Sequence, residues 1–221
     1  MENYVDNIYD TLEYNQDTYS STLFYQLFPK TKALLEYDYG VIDYKRDPTR
    51  VGTFDQVRLG LRGDLTGKTI GIVKFGYQDR KYNIEGRAGY NGLVAEGGII
   101  TEFSENTRMN IKLLRTAAES IYLNNNYYLN NMASIELKQR FLSKFNLIPS
   151  LRFSRNLYPE FTSVLDLKRH DSIGVGGLAC EYDIKNWWQA KLAYQYSKDN
   201  SNVDNYDYTD HLVSFSFNFV I

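Results

Sequence analysis

Few residues in this chain could do chemistry on a substrate, and their spacing does not let them act together. The 221 residues include only two histidines, His170 and His211, and one cysteine, Cys180. A lone cysteine excludes a disulfide framework and a thiolate metal cluster. Two histidines leave little room for a His-rich metal site or a proton relay. His170, in Lys168-Arg169-His170-Asp171, reads as a solvated loop residue. A membrane-embedded hydrolase would need Ser and His on one strand face, but His211 has the opposite parity to Ser214 and Ser216. Thr66-Gly67-Lys68-Thr69 ends like a phosphate-binding loop, yet Arg62 stands where the first glycine belongs and a turn follows instead of a helix. Gly86, Gly89 and Gly92 sit in a polar loop, not between a strand and a helix, so they make no dinucleotide fingerprint. The chain is therefore not expected to be an enzyme, and no catalytic residue, metal ligand or cofactor is assigned.

What positions the remaining polar residues is a two-residue period. Val213, Phe215, Phe217, Phe219 and Ile221 alternate with Leu212, Ser214, Ser216, Asn218 and Val220, which sets an aromatic face against a small, polar one. The same pattern sets Val57, Leu59, Leu61 and Leu65 against Arg58, Arg62 and Asp64. Met109, Ile111 and Leu113 likewise oppose Arg108, Asn110 and Lys112, and Trp188, Ala190, Leu192, Tyr194 and Tyr196 oppose Gln189, Lys191 and Gln195. About eleven such segments are expected, near 18–28, 32–44, 54–65, 69–80, 91–103, 107–118, 127–141, 144–156, 171–183, 187–198 and 209–221. They exceed the usual ~5–6-residue strand and match the ~9–11 residues with which a tilted strand crosses a bilayer.

Connections alternate as well. Short ones hold Pro29-Lys30-Thr31, Thr66-Gly67-Lys68, Ser104-Glu105-Asn106, Leu142-Ser143 and Lys185-Asn186. Long polar ones fall near 45–53, 81–90, 119–126, 157–170 and 199–208. Short turns at one end and long loops at the other describe an outer-membrane barrel. With 20 Tyr and 12 Phe, the chain also has the aromatics such a barrel places at its interfaces. The fold expected is thus all-β, an antiparallel up-and-down transmembrane β-barrel with 11–12 strands in this chain. Residues 1–17 read as a polar N-terminal segment and 18–221 as the barrel.

In that setting the charges become the functional candidates. Arg58, Arg62, Lys74, Arg108, Lys112, Lys138, Arg140, Arg152 and Lys191 fall on the polar faces, with Glu36, Asp38, Asp64, Glu96, Glu102, Glu136 and Glu181. Facing lipid near the midplane, an isolated charge would cost ~2–4 kcal/mol, so these residues are expected to line the lumen. Either they pair and fill it, or they border a hydrated pore whose slight basic excess suits an anionic polymer or solute. A net charge of −2 gives no indication of nucleic-acid binding.

Two stretches go beyond architecture. One is Leu59-Gly60-Leu61-Arg62-Gly63-Asp64-Leu65-Thr66-Gly67-Lys68-Thr69 with Val73-Lys74-Phe75-Gly76-Tyr77-Gln78. The other is Tyr194-Gln195-Tyr196-Ser197-Lys198-Asp199-Asn200-Ser201-Asn202 with Asn205-Tyr206-Asp207-Tyr208. Together with Pro29-Lys30-Thr31 and Glu36-Tyr37-Asp38-Tyr39 they resemble the putative β-barrel porin 2 family over essentially the whole chain. The resemblance implies a Gram-negative outer membrane and a route for a secreted exopolysaccharide or capsular polysaccharide. It also implies contact with outer-membrane lipid and the barrel-assembly machinery, and with periplasmic export partners. A general small-solute porin and a structural or adhesive barrel with a plugged lumen are the rival expectations.

Met1 to Asp17 lacks the basic start and apolar core of a signal peptide. Asp6, Asp10 and Glu13 make residues 3–14 a poor twelfth strand. With an odd strand count, these features lead to the expectation of a C-terminal portion of a larger barrel. The last strand keeps Phe215, Phe217 and Phe219 as an assembly pattern, although it ends on Ile221 instead of an aromatic residue.

Overall fold

The computed structural model describes residues 13–45, 50–83, 89–120, 122, 125–162 and 167–219. They form a single antiparallel sheet of 11 strands joined in sequence order. The strands are β1 (Tyr14–Phe28), β2 (Thr31–Tyr44), β3 (Gly52–Thr66), β4 (Thr69–Tyr82), β5 (Tyr90–Ser104), β6 (Thr107–Glu119), β7 (Tyr127–Phe141), β8 (Phe145–Thr162), β9 (Leu167–Lys185), β10 (Trp188–Ser201) and β11 (Tyr208–Phe219). Among the described residues β1 pairs only with β2, and β11 only with β10, so the sheet has two free edges. Ile221 lies outside the described residues.

The period read from the sequence sorts the side chains onto two faces. The convex face carries Leu35, Leu59, Leu61, Phe75, Leu93, Leu113, Leu151, Phe153, Leu192 and Phe215, all exposed. Leu59, 63% exposed at the middle of its strand, pairs with exposed Leu35 and Phe75, in a continuous apolar patch that a water-facing sheet would break with polar residues. Aromatic rings bound this apolar band. Phe103, Phe141 and Trp187 adjoin the short turns, while Tyr37, Tyr77 and Tyr194 stand toward the long connections. From the turn at Gly67-Lys68 up to Tyr77, a strand tilted by ~40° climbs about 23 Å, close to the apolar height of an outer-membrane barrel. The convex charges Asp55, Asp79, Lys81 and Arg155 stand further from their short turns than Tyr77 does, and Arg115 stands as far as Tyr77; Lys81 pairs with Asp79 at 2.6 Å and Arg115 donates to Asn131 at 2.7 Å.

The region expected as a loop at 157–170 is largely strand. β8 runs to Thr162 and β9 begins at Leu167, so Arg169 and His170 belong to β9. Arg169 is 4% exposed, because Asp171 and a set of tyrosine rings enclose it. These partners come from other segments, and the polar run Lys168-Arg169-His170-Asp171 does not announce them.

One hairpin leaves the wall. The β5–β6 ladder stops at Ala95↔Arg115, although β5 reaches back to Tyr90 and β6 continues to Glu119. Above that point β6 keeps its pairing with β7, through Ala117↔Leu129 and Glu119↔Tyr127. Below it, Ile111 and Leu113 share the convex face; above it, Ala117 and Tyr127 are buried against Tyr90 and Val94 of β5. The upper β6–β7 hairpin thus lies across the concave side of the sheet.

Candidate functional site: the charged concave face

Two ion-pair groups occupy the concave face. In the first, Arg58 of β3 bonds Glu36 and lies 2.9 Å from Asp38, both on β2. It also approaches Glu96 of β5 at 3.6 Å. Lys74 of β4 bridges the same carboxylates, at 3.0 Å from Glu36 and 3.4 Å from Glu96. Gln56 donates to Asp38 at 2.7 Å. Glycine makes this lattice possible. Gly76 pairs with Arg58 across the β3–β4 ladder, and a Cβ there would lie 2.0 Å from the Val57 carbonyl and 2.6 Å from Arg58 Cγ. Its missing side chain is the space in which Arg58 lies along the wall.

The second group joins β7 to β10. Glu181 of β9 accepts from Lys138 at 2.9 Å and from Lys191 at 3.1 Å. Arg140 is 3.6 Å from Asp183, which also accepts from Gln189 at 2.7 Å. Outside the two groups Arg62, Glu102, Arg108, Lys112, Glu136 and Arg152 share the concave parity but make no ion pair with the described residues. Lys112 and Arg152 lie in one row of the ladder, separated by Ser134.

All twelve residues singled out from the sequence therefore fall on one face: Arg58, Lys74 and Glu96 come together in the first group, Lys138, Arg140 and Lys191 in the second, and the other six stand apart. His211 falls on the other face, its Nδ1 2.8 Å from the Tyr194 hydroxyl.

Sequence reasoning missed a third group at the long-connection end. There Glu119 of β6 accepts from Arg80 of β4 at 2.7 Å, from Tyr82 at 2.7 Å and from Tyr44 of β2 at 2.7 Å. Arg50 donates to the Ser120 carbonyl at 2.6 Å and lies over the Tyr44 ring, 4.4 Å from its centroid. On the far side Arg169 chelates Asp171 with bonds of 2.8 and 2.6 Å. Its guanidinium stacks 4.0 Å from the Tyr122 centroid and 3.8 Å from that of Tyr206. Asp183 was missed too, although its two-residue spacing from Glu181 marks it. Glu119 carried no such mark, because its partners lie 37 to 75 residues away.

The fold is shared with outer-membrane transporters of known structure. The FrpB iron transporter of Neisseria meningitidis superposes with a TM-score of 0.62 at 10% identity, over 85% of this chain and 36% of that one. The alcaligin receptor FauA of Bordetella pertussis gives 0.56 at 12% identity, over 92% and 42%. The siderophore receptor PiuA of Acinetobacter baumannii gives 0.51 at 12%, over 84% and 38%. This chain thus spans less than half of each. No curated protein sequence matches it. A family model described as Putative beta-barrel porin 2 matches residues 10–219, and with that match over nearly its full length the chain belongs to this family.

Proposed function

We propose that the sheet is part of the wall of a Gram-negative outer-membrane conduit, and that its cargo is a hydrophilic polymer, an exopolysaccharide or capsular polysaccharide. The observation that carries this reading is the division of the two faces: an apolar convex band between aromatic rings, and a concave face bearing the charges. A wall of this kind solvates cargo passively, and its charged rows decide which ions follow. Among the six singled-out residues without an ion pair to the described residues, the cations Arg62, Arg108, Lys112 and Arg152 outnumber the carboxylates Glu102 and Glu136, which supports a preference for anions. The polysaccharide itself rests on the family resemblance. Insertion would use the barrel-assembly machinery, and delivery to the periplasmic mouth would use export partners there.

Reconstitution of the outer-membrane protein into planar bilayers tests the reading. A stable conductance is expected, with a reversal potential favouring chloride over potassium. Lys112→Gln together with Arg152→Gln should lower that permeability ratio about twofold. An anionic oligosaccharide should produce transient blockades. Conductance that small solutes share and oligosaccharides never interrupt would favour a general porin. A folded protein that stays silent would favour the plugged structural barrel.

A further inference from the structure

We infer that the upper β6–β7 hairpin is the constriction of this conduit, set inside its long-connection mouth. The inference rests on the conduit reading. It starts from distances that a flat wall cannot accommodate. β2 and β6 are separated by β3, β4 and β5. At ~4.8 Å per strand, their axes stand about 19 Å apart along the sheet. Even so, the Tyr44 hydroxyl of β2 bonds Glu119 of β6 at 2.7 Å. Contact across that span requires the hairpin to cross the hollow of the sheet, as the early end of the β5–β6 ladder permits.

The hairpin is tied on both sides. Toward β2–β5 it buries Ala117, Glu119 and Tyr127 against Tyr44, Arg80 and Val94. Toward β8–β11 Tyr122 packs edge-on against Tyr158 and Tyr206, 5.7 and 5.4 Å between centroids, and its hydroxyl accepts from Arg169 at 3.1 Å. The Asn125 side chain accepts from the Glu160 amide at 2.9 Å. Ile42 and Tyr44 are 0% and 2% exposed although they project from the concave face, so the mouth is filled on the β2–β5 side. What stays open is a polar hollow of about 460 Å³ between the other side of the hairpin and β8–β11, lined among others by Thr116, Asn130, Arg152, Asn156 and Ser197. Cargo is thereby confined to a hydroxyl- and amide-rich passage whose lining carries one cation, Arg152, and one carboxylate, Asp210.

The test has two readouts on the protein assembled in the outer membrane. Glu119→Ala with Tyr122→Ala removes a tie on each side. Single-channel conductance should rise at least about twofold, with a weaker dependence on solute size. In a Cys180→Ser background, Val94→Cys should resist a membrane-impermeant maleimide and react about tenfold faster once both ties are cut. Equal conductance of parent and variant overturns the constriction while leaving the conduit intact. Equal labelling of Val94→Cys in both overturns the placement of the hairpin, whether or not the protein conducts. A silent parent with protected Val94→Cys overturns the conduit and leaves the hairpin as a plug instead of a constriction.

Discussion

Arg58 shows how much one concave position asks of its neighbours. Its guanidinium reaches carboxylates on β2 and β5 at once, and that reach needs the empty position at Gly76. A side chain at Gly76 must displace backbone, since the Val57 carbonyl would stand 2.0 Å from the new Cβ. Gly76→Ala should therefore cost about 2 kcal/mol or more, by strain and by loss of the lattice. Gly97 is the control. There a Cβ would meet only Leu113 at 3.8 Å, so Gly97→Ala should change stability by no more than about 0.5 kcal/mol. Urea-unfolding midpoints in detergent or lipid check both. Alternation in the sequence placed Arg58 and Lys74 on the same face, but the role of Gly76 depends on register across the β3–β4 ladder. Glu119 was beyond sequence reading for a stronger reason. Its parity assigns it to the lipid side, and only the departure of the hairpin from the wall reverses that.

At the scale of the strand, the two-residue period and the loop lengths made the architecture legible. Every expected segment corresponds to one of the 11 strands, because each keeps one face mainly apolar over most of its length while the other is mainly polar. The ends were less legible. β8 and β9 continue through most of the expected 157–170 loop, since strand pairing persists where the lipid constraint has lapsed and the apolar alternation with it. Leu59 and Arg58 are neighbours on β3 with opposite orientations. Leu59→Arg should cost ~2–4 kcal/mol if the convex band faces hydrocarbon. Measured by refolding into lipid bilayers, the loss should vanish for the same substitution at Thr53, on the same face but near the long-connection end. Equal costs at the two positions would argue against a membrane band.

Among the described residues the sheet leaves one edge of β1 and one edge of β11 unpaired. In lipid every unpaired backbone amide and carbonyl costs several kcal/mol, so an exposed strand edge does not persist in the hydrocarbon. β1 and β11 both run from the long-connection end to the short-turn end, which follows from the odd count of antiparallel strands. Closing the sheet on itself would therefore need a parallel seam, against ten antiparallel pairs elsewhere. Two copies side by side would meet the same mismatch at both seams. An odd number of further strands between β11 and β1 restores antiparallel pairing throughout and gives the even total usual in bacterial barrels. The expected outcome is that Thr22→Cys on β1 and Ser214→Cys on β11, combined with Cys180→Ser, form no disulfide with each other in the membrane. Neither should link to its counterpart in a second copy. Efficient β1–β11 cross-linking within one chain would instead establish a self-closed barrel of 11 strands with a parallel seam.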